Sequence, residues 1–130
     1  MSRRRLQFLA CLTVAVLCLS VALAQQPPTL DEIVRLAKAG EAADKDFSGA
    51  AAAGLTLARC SLAGANWRGA DLRGAMLTAV SLQKADLRQT NLRGAVLERV
   101  DLLNADLSGA DLSGAILCLT NLENANLTGC

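Results

Sequence analysis

The chain has 130 residues, 13 basic against 12 acidic, and neither histidine nor tyrosine. This near balance gives no electrostatic reason to bind nucleic acid, and without histidine there is no histidine base and no histidine metal ligand. The length suits a single domain.

The first segment reads as a targeting signal rather than part of the fold. Arg3, Arg4 and Arg5 form a cationic start, Leu6 to Leu19 is nearly all apolar, and Ala22-Leu23-Ala24 is an A-x-A cleavage site before Gln25. Residues 1–24 are therefore expected to be a signal peptide of the general secretion route, giving an exported bacterial protein, periplasmic or secreted. The other reading, an uncleaved anchor, needs a span close to the minimum that crosses a bilayer. Cys11 and Cys18 do not sit at a lipoprotein junction, and Gln7 spoils the half-match to a twin-arginine signal. Cleavage removes three of the thirteen basic residues and none of the twelve acidic ones, leaving a mature chain of 106 residues with net charge −2 and no expected membrane contact.

Residues 25–44 form a linker and a helix. Pro27-Pro28 favours extended backbone. Thr29-Leu30-Asp31-Glu32 then reads as a capping box, in which the Thr29 hydroxyl and the Glu32 carboxylate each accept from the other residue's amide. Leu30, Ile33, Val34 and Ala37 share one helical face and Gly40 is a stop signal. Such a helix is expected to cap the first turn of whatever follows, the alternative being a partner-binding helix.

From Lys45 to Gly129 one rule dominates, a leucine every fifth residue. Leu72, Leu77, Leu82, Leu87, Leu92, Leu97, Leu102, Leu107, Leu112, Leu117, Leu122 and Leu127 are an unbroken series, usually with alanine two places earlier. On an α-helix, steps of five advance about 140° and circle the axis. On a continuous strand they alternate between faces. A short extended piece followed by a corner solves both problems: the alanine and the leucine point inward together and the next two residues turn. Phe47 and Trp67 replace leucine in the first and fifth units, and are expected to stack in the core.

This A-[D/N]-L-x-x pattern over about two thirds of the chain resembles the pentapeptide-repeat family. The resemblance implies an all-β fold, a right-handed quadrilateral β-helix with four units per coil. The 17 units of residues 45–129 then make about four coils, roughly 20 Å long at the usual strand spacing.

Four units per coil assign every outward residue to a face. On the first face Asp46, Asn66, Asp86, Asp106 and Asn126 precede the centre, followed by Arg68 and Arg88 in two of the units. The second has Asp71, Asn91 and Asp111 with Arg73 and Arg93. Arg68, Arg73, Arg88 and Arg93 thus gather on adjacent faces, either as an anion patch or as solvated ion pairs with Asp71 and Asp86. On the third face the same place holds Thr56, Met76, Val96 and Ile116, and Leu119 extends the apolar character. Met76, Val96, Ile116 and Leu119 are a candidate stripe for contact with another protein or a second copy, the alternative being residues that merely suit an outer sheet. The fourth face carries Ser61, Ser81, Asp101 and Asn121.

Three cysteines remain after cleavage. Cys60 takes an inward small-residue position and is expected to stay a buried thiol. Cys118 lies too far along the axis to bridge to it, so a bond to Cys130 or to another chain is the remaining option. No metal, cofactor or catalytic site is expected, since the aspartates lie on outer ladders with nothing to form a pocket. Two functions stay open. One is an exported, non-enzymatic interaction or scaffold module using an outer face. The other comes from the resemblance, because some pentapeptide-repeat proteins imitate duplex DNA and so protect gyrase; the arginines, the short rod and the signal peptide all count against it here.

Overall fold

The structure, a computed structural model, describes residues 3–130, with side chains from residue 13 onward except that of residue 23. Its elements are α1 (Arg3–Ala24), α2 (Leu30–Ala39) and four short strands, β1 (Thr56–Ala58), β2 (Met76–Thr78), β3 (Val96–Glu98) and β4 (Ile116–Cys118). The strands form one parallel sheet in the order β1-β2-β3-β4. Thr56 pairs with Met76, Met76 with Val96 and Val96 with Ile116. The bridges on other faces keep the same twenty-residue step, as in Asp46 to Asn66 to Asp86 to Asp106 to Asn126. Four units of five residues therefore bring the chain back above itself, and the product is a β-helix.

The step of twenty satisfies the backbone. The central residue of each unit donates to the coil above, as Trp67 N–H does to the Asp86 C=O at 2.7 Å. The residue before it donates to the coil below, as Asn66 N–H does to the Lys45 C=O at 2.9 Å. Both inward positions then meet only other side chains. Ala70, Leu72, Ala75, Leu77, Leu87 and Leu107 are all buried in one continuous core. Phe47 and Trp67 stack with ring centroids 4.6 Å apart. Where Thr90 takes an inward place, its hydroxyl donates to the Trp67 C=O at 3.0 Å, which removes the cost of burying it.

The corners explain the last two residues of each unit. On three faces the N–H three residues after the centre returns to the central carbonyl, as Ala70 N–H does to the Trp67 C=O at 2.9 Å. The second corner residue has positive φ, the arrangement of a type II turn, so glycine serves at Gly69 and Gly74. Lys84, Gln89 and Asn104 adopt the same left-handed conformation with φ of 57°. Such residues are uncommon there and each carries a modest strain.

The third face is built differently, and its sequence says why. On the other faces Asp or Asn before the centre usually accepts from the N–H two residues on: Asp86 Oδ1 from Arg88 N at 3.1 Å, Asn91 Oδ1 from Arg93 N at 3.2 Å. Met76, Val96 and Ile116 have no such acceptor. The residue after the centre joins the ladder instead, with Ala58, Thr78, Glu98 and Cys118 in register. All four strands thus lie on this face.

At the N-terminal end, α2 buries Ile33 and Ala37 against the first coil. Its cap is half the expected box: the Thr29 hydroxyl accepts from Glu32 N–H at 3.4 Å, without the return bond from the Thr29 N–H to the Glu32 carboxylate, and Gly40 closes the helix at φ 74°. In the final coil, with no coil above it, Leu117 and Leu127 are 41% and 42% exposed. Part of the signal-segment reading rests on the side chains of residues 1–12, including Cys11, which lie outside the described residues. No helix among the described residues is long and apolar enough to cross a membrane.

Leu87→Ala is expected to destabilise the fold by about 2–5 kcal/mol, because the tube cannot collapse locally without breaking register on every face. Chemical denaturation followed by the fluorescence of the single tryptophan, Trp67, measures it.

Candidate protein-contact surface

The third face brings the predicted stripe together. Met76, Val96 and Ile116 are successive partners in one ladder, so their side chains stack on the outside at strand spacing. Met76 and Ile116 are 53% and 57% exposed, while Val96 is half-buried. Leu119, at 72%, turns the corner beside Ile116 with φ of 53°. Beside the stripe stand Glu98 and Arg99, whose charged groups are 3.9 Å apart, a weak exposed pair. The surface is apolar along its axis with charges on one margin.

The four arginines are also neighbours, but three of them are engaged. Arg73 holds Asp71 at 2.7 Å, Arg88 holds Asp86 at 2.6 Å and Arg93 reaches Asp111 one coil on at 3.2 Å. Arg68 makes no ion pair among the described residues, and its charge acts on Asp86. Of the two interpretations open in the sequence, the geometry is that of ion pairs. Three of the four guanidiniums thus carry a carboxylate with them, which reduces the net positive field on these faces. These pairs are exposed and contribute little stability individually.

The cysteines depart in part from expectation. Cys60 does take an inward position, but it lies in the first coil and is only half-buried; desolvation nevertheless pushes its thiol pKa up. Cys118 is a free, exposed thiol. Cys130 also stays free, its thiol 3.0 Å from the Leu107 C=O, so it plays the part Thr90 plays two coils earlier.

What the sequence reading missed is the work of the outward carboxylates. The Ser48 hydroxyl and amide beside Asp46, Arg73 beside Asp71 and Arg88 beside Asp86 hold those carboxyl groups below their ordinary pKa. Gln83 does so for Asp101, the Ser108 amide for Asp106 and the Ser113 hydroxyl for Asp111. The signal was present: Asp, Asn and Ser are the residues whose side chains close a turn on the amide two places later.

A repeat solenoid with a packed interior and two kinds of outer face, one polar and ion-paired, one apolar, is the class these features define. The pentapeptide repeats profile matches residues 56–94, 81–117 and 95–130, with eight copies. The chain belongs to the pentapeptide repeat family. It is similar to alr5209, a pentapeptide repeat protein from Nostoc, at 39% identity over 81% of this chain and 77% of that one, with a TM-score of 0.55. It is also similar to a trypsin-treated variant of QnrB1, a plasmid-mediated fluoroquinolone resistance protein, at 30% identity over 62% of this chain and 42% of that one, TM-score 0.58. Rfr23 of Cyanothece 51142 matches at 32% identity over 58% of both chains, TM-score 0.48. The chain thus spans about half the length of Rfr23 and QnrB1. No curated protein matches.

Each of these carboxyl groups has a lower pKa folded than unfolded. The stability it contributes is present above the unfolded value, near 3.8, and lost as pH falls through the folded one. The melting temperature is therefore expected to be flat from neutral pH to about 4.5 and to drop below about 4. At neutral pH, Asp101→Asn keeps the acceptor for Leu103 N–H and is expected to hold Tm closer to wild type than Asp101→Ala. Thermal melts monitored by circular dichroism test both.

Proposed function

We propose that the chain is an exported, non-enzymatic interaction module that docks a protein partner along the stripe of Met76, Val96, Ile116 and Leu119. The observation that carries this is the third face itself. It alone lacks the Asx acceptors, it alone forms regular strands, and it alone stacks apolar residues outward in register. Apolar residues placed outside a tube whose interior is already filled add nothing to its core, and a contiguous exposed stripe is the common mark of a contact surface. The filled interior and the ion pairs of Asp71, Asp86 and Asp111 support the non-enzymatic reading.

Export is supported by residues 1–24, whose cationic start, apolar run and A-x-A site read as a signal peptide. In α1 the described side chains between Thr13 and Ala24 are exposed, which suits a segment removed from the mature protein. A right-handed coil goes with the family resemblance. A gyrase-directed role of the DNA-mimicking kind gains no support from this surface, because Arg73, Arg88 and Arg93 cancel the aspartates beside them.

Fractionation followed by N-terminal sequencing is expected to find a mature species beginning at Gln25 outside the cytoplasm; a full-length cytoplasmic product would refute export. The double variant Met76→Asp, Ile116→Asp changes only exposed side chains, so its circular dichroism and melting curve should match wild type. Crosslinking in the exported fraction is expected to capture a protein with wild type and to lose it, at least tenfold, with this variant. Equal crosslinking by both would remove the stripe as the contact.

A further inference from the structure

The sheet on the third face has an unclosed edge at its N-terminal side. Met76 N–H donates to the Leu55 C=O at 2.8 Å and Arg59 N–H donates to the Thr78 C=O at 2.9 Å, so Met76 and Thr78 turn their backbone groups toward β1. Thr56 and Ala58 hold the same places one coil earlier, and no coil precedes them. Their N–H and C=O groups therefore point away from β2, and among the described residues they have no backbone partner. The Thr56 hydroxyl does not cover them; it turns aside to the Gly54 C=O at 3.3 Å.

The helix that should close this edge stands off from part of it. Ile33 and Ala37 of α2 plug the core. Between the C-terminal half of α2 and β1, however, lies a cleft of about 440 Å³, lined by Ala37, Lys38, Thr56, Ala58, Arg59 and the half-buried Cys60, with Leu57 at its base. That volume holds a few residues of extended chain. Both ionisable side chains with a full charge on its walls are cations, Lys38 and Arg59, and no acidic residue lines it.

We propose that this cleft binds an extended acidic peptide, which adds to β1 as a further strand. The four free backbone groups of Thr56 and Ala58 match what one neighbouring strand presents in register, and pairing them supplies affinity without regard to sequence. Lys38 and Arg59 supply the preference for Asp or Glu at positions facing them. An edge of this kind is a hazard if left open, and natural sheets guard such edges with charged residues. Here the two guards have one sign, which turns protection into selection. The inference does not rest on the stripe of the preceding section, since β1 is the far strand of the sheet from Ile116 and Leu119.

The test uses the full mature chain and a fluorescein-labelled hexapeptide of alternating valine and glutamate, titrated by fluorescence polarisation. Saturable binding is expected, and it should vanish when alternate peptide nitrogens are methylated, because methylation removes the ladder donors and leaves the charges. The variant Lys38→Glu, Arg59→Asn is expected to bind at least tenfold more weakly; asparagine tolerates the φ of 53° at position 59, and both side chains are exposed, so circular dichroism should be unchanged. Ile116→Asp, which disables the stripe, should bind the peptide as wild type does. The proposal is overturned if wild type shows no saturable binding, if a peptide with lysine for glutamate binds equally well, or if the methylated peptide binds as tightly as its parent.

Discussion

Everything in this molecule depends on the backbone pairing of residues twenty apart. A five-residue unit cannot bury its leucine by itself; the side chain is covered only when the units above and below stand in the same register. The ladder enforces that register on all four faces at once, as the bridges from Asp46 through Asn126 and from Ser61 through Asn121 display. Packing and hydrogen bonding are thus one constraint: a slip of one residue would turn each inward leucine outward and break each interchain-like pair of amides with it. Stability is then a sum over neighbouring coils, strongest in the middle, where Leu87, Leu92 and Leu97 are fully covered, and weaker toward the final coil.

Much of this was legible in the residues. The period of five located the inward positions from Phe47 onward, and the apolar face of Ile33 and Ala37 located the helix that covers the first coil. Legibility failed where two local solutions compete for the same backbone group. The amide after each central residue can be taken by an Asx side chain or by a neighbouring strand, and only a comparison of the faces shows which wins. Asp, Asn and Ser take it locally; methionine, valine and isoleucine surrender it to the ladder. The sequence also suggested a reciprocal cap at Thr29 and a buried thiol at Cys60. The first is half made, with the bond to the Thr29 hydroxyl alone present, and the second is half open, because the first coil has only α2 beneath it.

The candidate site was legible in membership but not in quality. Met76, Val96, Ile116 and Leu119 could be placed on one face by counting, yet Val96 turns out half-buried while its neighbours in the ladder are not. The arginines show the converse. Counting put four cations together, whereas the geometry spends three of them on Asp71, Asp86 and Asp111. Charge proximity in a repeat follows from the repeat, and only the rotamers say whether it leaves a field behind.

The ladder also has a sense of direction. In the coil that begins at Asp111, the amides of Leu112, Leu122 and Leu127 occupy places whose counterparts one coil earlier, Leu92, Leu102 and Leu107, each reach upward to a carbonyl. The carbonyls of Ala110, Ala115, Thr120 and Ala125 stand in the places from which Thr90, Ala95, Val100 and Ala105 accept from the next coil, so this rim offers donors and acceptors in alternation. A polypeptide that lengthens the tube there as the coils do must meet both sets in register, which makes this rim a template read by the spacing of its main chain rather than by its side chains.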